Sequence, residues 1–95
     1  MFDARIDAAM RNLVSVMVAG VAGTDVDISC ERAHSTEAVT VRVMPKDAEL
    51  GKVIGKNGRT ARAIRTVLQA ACRQYGVTYQ LDILGANELK VSKIA

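Results

Sequence analysis

Ten consecutive residues constrain this chain more than any other stretch: Gly51-Lys52-Val53-Ile54-Gly55-Lys56-Asn57-Gly58-Arg59-Thr60. Gly55 and Gly58 enclose a lysine and an asparagine, an aliphatic pair precedes them, and an arginine-studded helical pattern follows. Residues without a Cβ let a backbone turn sharply and come close to a ligand. The first amides of the following helix, and the positive end of its dipole, then point at whatever the loop holds, which favours an anion. The segment therefore predicts two helices joined by a phosphate-holding turn.

The distribution of charge supports that expectation. The chain carries a net +3, but unevenly. Between Lys46 and Arg73 stand seven bases (Lys46, Lys52, Lys56, Arg59, Arg62, Arg65, Arg73) against Asp47 and Glu49, while acids outnumber bases in the remainder. Positive charge gathered around one loop and one helix is the footprint of an anion binder.

Hydrophobic periodicity supplies the frame. Phe2, Ile6, Ala9, Leu13 and Val16 recur at helical spacing, predicting an amphipathic helix from Asp3 to about Ala19, ended by Gly20 and Gly23. Met10, Met17 and Val18 widen its apolar stripe, which suits either deep burial or contact with a second chain. Val26, Ile28 and Cys30 alternate with polar residues as a strand, Ala33–Thr36 reads as a turn, and Val39, Val41 and Val43 form a second, antiparallel strand stopped by Pro45. Asp47 is placed to cap a short helix over about Ala48–Ile54. A longer helix from Thr60 carries Ala61, Ile64, Leu68, Ala71, Cys72 and Tyr75 on one face, with Arg62, Arg65, Gln69 and Arg73 on another. Gly76 ends it, and Val77, Tyr79, Leu81 and Ile83 alternate as a third strand. Residues 1–84 make one domain and 85–95 a short tail. The economical architecture is α+β: a three-stranded sheet with three helices packed on one face.

The order αββααβ, with Gly-x-x-Gly between the middle helices, resembles a type II KH domain. The run Gly51 to Arg65 is similar to the small free-standing bacterial KH proteins of the KhpA type, and the resemblance extends from the first helix to the third strand. KH domains often carry isoleucine at the third and sixth positions after the second glycine. Ile64 matches and Ala61 does not, although alanine is usual in the KhpA-like group. The resemblance implies a mixed sheet and single-stranded RNA as the ligand. It also implies homodimers, or heterodimers with a KhpB-type partner (also called Jag or EloR), and a link to cell elongation and division. A role as RNA chaperone, post-transcriptional regulator or ribosome-assembly factor would use the same loop.

In that mode the loop holds the backbone of about four nucleotides while the bases turn to an aliphatic groove. Gly55 and Gly58 give the close approach. Lys56 supplies a point charge, and Asn57 tolerates unusual φ and can donate from its amide. Arg59 and Lys52 flank the loop, Arg62 follows it, and Val53 and Ile54 are expected as the apolar floor under the bases. Phe2, Tyr75 and Tyr79 are the aromatic residues, all expected in the core, so a mode that stacks bases on exposed rings is not expected.

Catalysis is not expected. A P-loop needs a Gly-Lys-Ser/Thr step, and Gly55-Lys56 is followed by Asn57. A dinucleotide fingerprint needs Gly-x-Gly, which is absent. One histidine, His34, and scattered acids assemble no catalytic constellation. Cys30 and Cys72 lack metal-ligand spacing and read as buried free thiols. No metal, cofactor, membrane span or small-molecule substrate is expected, and the default location is cytoplasmic. Lys90 and Lys93 add at most weak attraction for RNA.

Overall fold

The computed structural model of the chain describes residues 3–32, 38–84 and 90–93. Helix α1 spans Ala4–Ala22, strand β1 Asp27–Arg32, β2 Val39–Met44, α2 Asp47–Ile54, α3 Arg59–Tyr75, β3 Tyr79–Leu84 and β4 Lys90–Lys93, with a 3-10 turn at Lys56–Gly58 between α2 and α3. The turn expected at Ala33–Thr36, with His34, and the position of Phe2 lie outside the described residues.

The α+β, type II KH-like order αββααβ is present. β1 pairs antiparallel with β2, from Asp27 opposite Met44 to Arg32 opposite Val39. β2 pairs in parallel with β3, Val41 facing Leu81. This gives the mixed three-stranded sheet. A fourth strand, β4, extends it from within the segment read as a tail, pairing antiparallel with β3. It escapes the periodicity because an edge strand can carry lysines where a central one cannot.

Val39, Val41 and Val43 of β2 and Leu81 and Ile83 of β3 turn inward as the strand alternation requires. They meet Ile64, Leu68 and Cys72 of α3 and Met10, Val14 and Val18 of α1 in one core. The outer face stays polar: Arg42, opposite Asp82 across the β2–β3 pair, also reaches Glu31 at 2.7 Å. Both cysteines are free; Cys72 is buried and Cys30 half-buried. Burial pushes both thiols up from their ordinary pKa.

Three local expectations need correction. Helix α1 begins at an Asp3 cap, whose side chain accepts from the Arg5 and Ile6 amides at 2.9 and 3.4 Å. It runs through Gly20 to a left-handed Gly23. Its buried face is Met10, Val14, Val18 and Ala22, with Asp7, rather than the stripe through Ala9, Leu13 and Val16; Val16 is 62 % exposed. Asp47 is not the cap of α2 but lies within its first turn, and the cap position is Lys46, which makes no side-chain bond there. Tyr75 is 51 % exposed because it closes α3, where the helix ends against Gly76 and no core lies beneath it.

The rotation of α1 has a cause far along the chain. The Tyr79 hydroxyl donates to Asp7 Oδ1, and Arg11 Nε donates to Asp7 Oδ2 at 2.7 Å. Asp7 is therefore buried yet fully occupied, and α1 is tied to β3. Tyr79→Phe would leave Asp7 Oδ1 buried without its donor while Arg11 keeps Oδ2. An unsatisfied buried acceptor on a charged group costs more than the bond itself contributes, so the variant is expected to destabilise the fold by about 1.5–3 kcal/mol. Burial first, and then the bond to the Asp7 carboxylate, raise the Tyr79 pKa well above its ordinary value. In the unfolded chain the phenol ionises near pH 10. This contribution is thus complete below about pH 10 and lost as pH rises further, because the native state keeps a proton that the unfolded state gives up. Urea unfolding at pH 8 and pH 10.5 checks the sign: the difference between the native chain and Tyr79→Phe should shrink at the higher pH.

Candidate nucleic-acid interface

The loop between α2 and α3 is built from three departures from ordinary backbone within four residues. Gly55 has φ 78° and ψ 171°, Asn57 φ 56° and ψ 26°, and Gly58 φ 74° and ψ 14°. The Gly55 combination is open essentially to glycine alone, whereas the left-handed region at Asn57 admits asparagine. Gly55 is further confined by space: a Cβ there would lie 2.2 Å from Thr60 Oγ1 and 2.8 Å from the Thr60 backbone nitrogen. Gly58 has room, with Arg62 Nη2 at 3.7 Å as the nearest neighbour of a Cβ.

Few internal bonds hold this turn. The Gly55 amide donates to the Gly51 carbonyl at 2.8 Å and closes α2, and the Gly58 amide donates to the Gly55 carbonyl at 3.1 Å. Arg62 reaches back from the first turn of α3, Nη2 donating to the Asn57 carbonyl at 3.2 Å. Arg62 thereby latches the loop from the side, in addition to bringing charge to it.

The start of α3 is open to an anion. Gly58 offers no side-chain cap, and the first turn contains no acidic residue. The Arg59 amide donates to the Lys56 carbonyl, but the leading amides of this helix of 17 residues have no side-chain cap such as Asp3 supplies to α1. With the positive end of the helix dipole they face the same region as the loop. Lys56, Asn57, Arg59 and Arg62 are exposed around it. Lys52, on the preceding turn, is also exposed but pairs with Glu49 at 3.5 Å, so its charge is partly offset.

Lys52, Gly55, Lys56, Asn57, Gly58, Arg59 and Arg62 are thus gathered about one turn. The floor residues are not equivalent to them. Val53 is fully buried, and Ile54 is half-buried against the core. Val53 therefore supports the loop from below and is closed to a ligand. The open surface lies elsewhere, in a groove of about 510 Å³ between α3 and β3. Arg65, Gln69 and Arg73 wall it on the helix side, with Thr78, Gln80 and Asp82 on the strand side. The helical residues are legible as a polar stripe at steps of four. The strand residues are legible only as the outward half of an alternation, with nothing to say they face the same groove.

A second open surface lies on the other flank of α3. Val16, Met17 and Val21 of α1 and Ala63 and Val67 of α3 line an apolar groove of about 310 Å³. Val16, Val21 and Val67 are 62, 40 and 46 % exposed. No described group of histidine, cysteine and acidic side chains has the makings of a metal site. No described helix is long and apolar enough to cross a membrane.

Comparison with known proteins places this geometry in context. The family model of the KhpA/KhpB KH domain matches residues 11–83. A protein named RNA-binding protein KhpA from Aquifex aeolicus is 34 % identical over 77 residues, covering 81 % of this chain and 98 % of its own length. Its namesake from Bacillus subtilis is likewise 34 % identical over 77 residues, covering 81 % of this chain and 95 % of that protein. The namesake from Streptomyces coelicolor is 43 % identical over 65 residues, covering 68 % and 77 %. No solved structure matches the chain.

Proposed function

The chain belongs to the KhpA/KhpB KH-domain family, and from that premise we propose that it clamps the backbone of single-stranded RNA at Gly55–Gly58 and lays the bases in the groove between α3 and β3. The observation that carries the reading is the junction of an uncapped, acid-free helix start with a glycine-built turn, ringed by Lys56, Arg59 and Arg62. Phosphate suits the amides and cations there, and a flexible single strand can follow the turn and descend along Arg65, Gln69 and Arg73. Arg65 lies about 10 Å along the helix axis from Gly58. Val53 and Ile54 act as support beneath the loop. The protein works as a binding module with no cofactor.

Salt dependence tests this reading. A clamp that neutralises about three or four phosphates gives a log–log slope of about −2 to −3 for a single strand. Fluorescence titration of a labelled mixed-sequence strand at several salt concentrations should return that value. A slope near zero would show that phosphate contacts do not carry the binding.

A second reading, self-association, has its own observation. Helix α1 is apolar on two sides: one fills the core, and the other, with Val16 and Met17, lines the groove beside Val67. Such a face made of aliphatic and small residues suits a two-fold contact with a second copy. Val67→Glu places a charge there without touching the core. Light scattering should then report dimer for the native chain and monomer for the variant. A native monomer at all concentrations would remove this reading and leave the RNA clamp untouched.

A further inference from the structure

Thr60 occupies a place that neither the charge pattern nor the glycine spacing explains. It is the second residue of α3, half-buried, and its side chain stands directly behind Gly55. A Cβ on Gly55 would meet Thr60 Oγ1 at 2.2 Å and Thr60 Cβ at 2.7 Å. The hydroxyl corner of Thr60 therefore takes up the space that Gly55 leaves empty. The same residue lines the apolar groove between α1 and α3, so its side chain is lodged between helix packing on one side and the loop on the other.

The loop needs such a support. Gly55 loses more conformational freedom on ordering than any other residue type. The bonds that hold the turn are few: the amides of Gly55, Gly58 and Arg59, the last donating to the Lys56 carbonyl, and the Arg62 latch at Asn57. The latch acts at the centre of the turn, and Thr60 acts at its entrance. A side chain fixed to the rigid first turn of α3 can keep the Gly55 peptide in its glycine-only conformation and so hold the following amides in one arrangement. A site held in advance binds more tightly because less order has to be imposed at binding.

We propose that Thr60 is a positioning residue of the clamp, its Oγ1 bracing Gly55 so that the loop is set before RNA arrives. The proposal rests on the reading of this loop as the RNA clamp, and its test separates the two. Thr60→Ala removes the hydroxyl and the γ-methyl together while favouring the helix, since alanine is the better helix former. Thr60→Ser keeps Oγ1 and Cβ and removes only the methyl.

Both variants and the native chain are compared in the same association state, confirmed by light scattering. Hydrogen exchange at the Gly58 amide is read by NMR in the free protein, and affinity for a labelled mixed-sequence RNA strand by fluorescence anisotropy. In Thr60→Ala the Gly58 amide is expected to exchange about five times faster or more, and RNA affinity to fall about fivefold, a modest free-energy change. Thr60→Ser should stay within about twofold of the native chain on both measures. Unchanged exchange in Thr60→Ala overturns the proposal, and so does a serine variant as impaired as the alanine one. If exchange responds as expected but the native chain binds no RNA, the bracing stands and the RNA reading fails.

Discussion

Gly55→Ala is expected to cost about 3 kcal/mol of stability, while Gly58→Ala costs about 1–2 kcal/mol. The two glycines are equal in the motif and unequal in the fold. At Gly55 two penalties combine. The backbone combination of φ 78° and ψ 171° is closed to residues with a Cβ, at about 1–3 kcal/mol. The new methyl would also sit 2.8 Å from the Thr60 backbone nitrogen, which no side-chain rotation relieves. At Gly58 the left-handed backbone is the main penalty, since the nearest contact, Arg62 Nη2 at 3.7 Å, is ordinary and lies at the end of a flexible side chain. For a domain of this size, about 3 kcal/mol lowers the melting temperature by more than about 10 °C. Thermal unfolding of both variants reads the asymmetry directly. Equal losses would mean that the entrance of the loop is not pinned as the structure has it.

The frame of this protein was legible because its sheet and its longest helix have clean periods. Val39, Val41 and Val43 alternate over a buried strand, and Ile64, Leu68 and Cys72 return at the spacing of a helix face. The loop was legible for another reason. Gly55, Asn57 and Gly58 are the residue types that tolerate positive φ, and all three adopt it. Helix α1 was misread because leucine, valine, methionine and alanine surround most of its second half, leaving the phase of the helix undetermined by apolarity. The deciding residue is Asp7, which sequence reasoning sends to solvent. Its burial depends on Tyr79, 72 residues away. Long-range polar pairing of this kind leaves no local pattern.

Within the candidate site, charge and glycine spacing pointed to a turn that the fold does form, but not to the place of every residue around it. Val53 looked like a surface for bases because it adjoins the loop, yet the helical turn of α2 drives it wholly into the core. Arg62 looked like one more cation, and it proves also to tie down the Asn57 carbonyl. Tyr75 was assigned to the core by its spacing, but the helix ends there and leaves its ring exposed. The contributions of Thr78, Gln80 and Asp82 to the groove depend on how β3 docks against α3, which no pattern within either element records.

The central claim is that the turn Gly55–Gly58 is where RNA is held, and the double substitution Lys56→Asp, Asn57→Asp addresses it with a large effect. Both side chains are exposed, so the core is untouched. Aspartate tolerates the left-handed backbone that Asn57 adopts, and acids near the start of α3 suit its dipole. The variant should therefore fold, which circular dichroism confirms. The loop, however, changes from one positive charge to two negative ones, facing a polyanion. Like charges brought together in a binding site cost several kcal/mol, so affinity for a labelled mixed-sequence single-stranded RNA is expected to fall more than about 30-fold. The decisive measurement is fluorescence anisotropy of that RNA with the native chain and with the folded double variant. Binding by the native chain alone is the predicted result. Equal binding by both would contradict the account and move RNA off the loop.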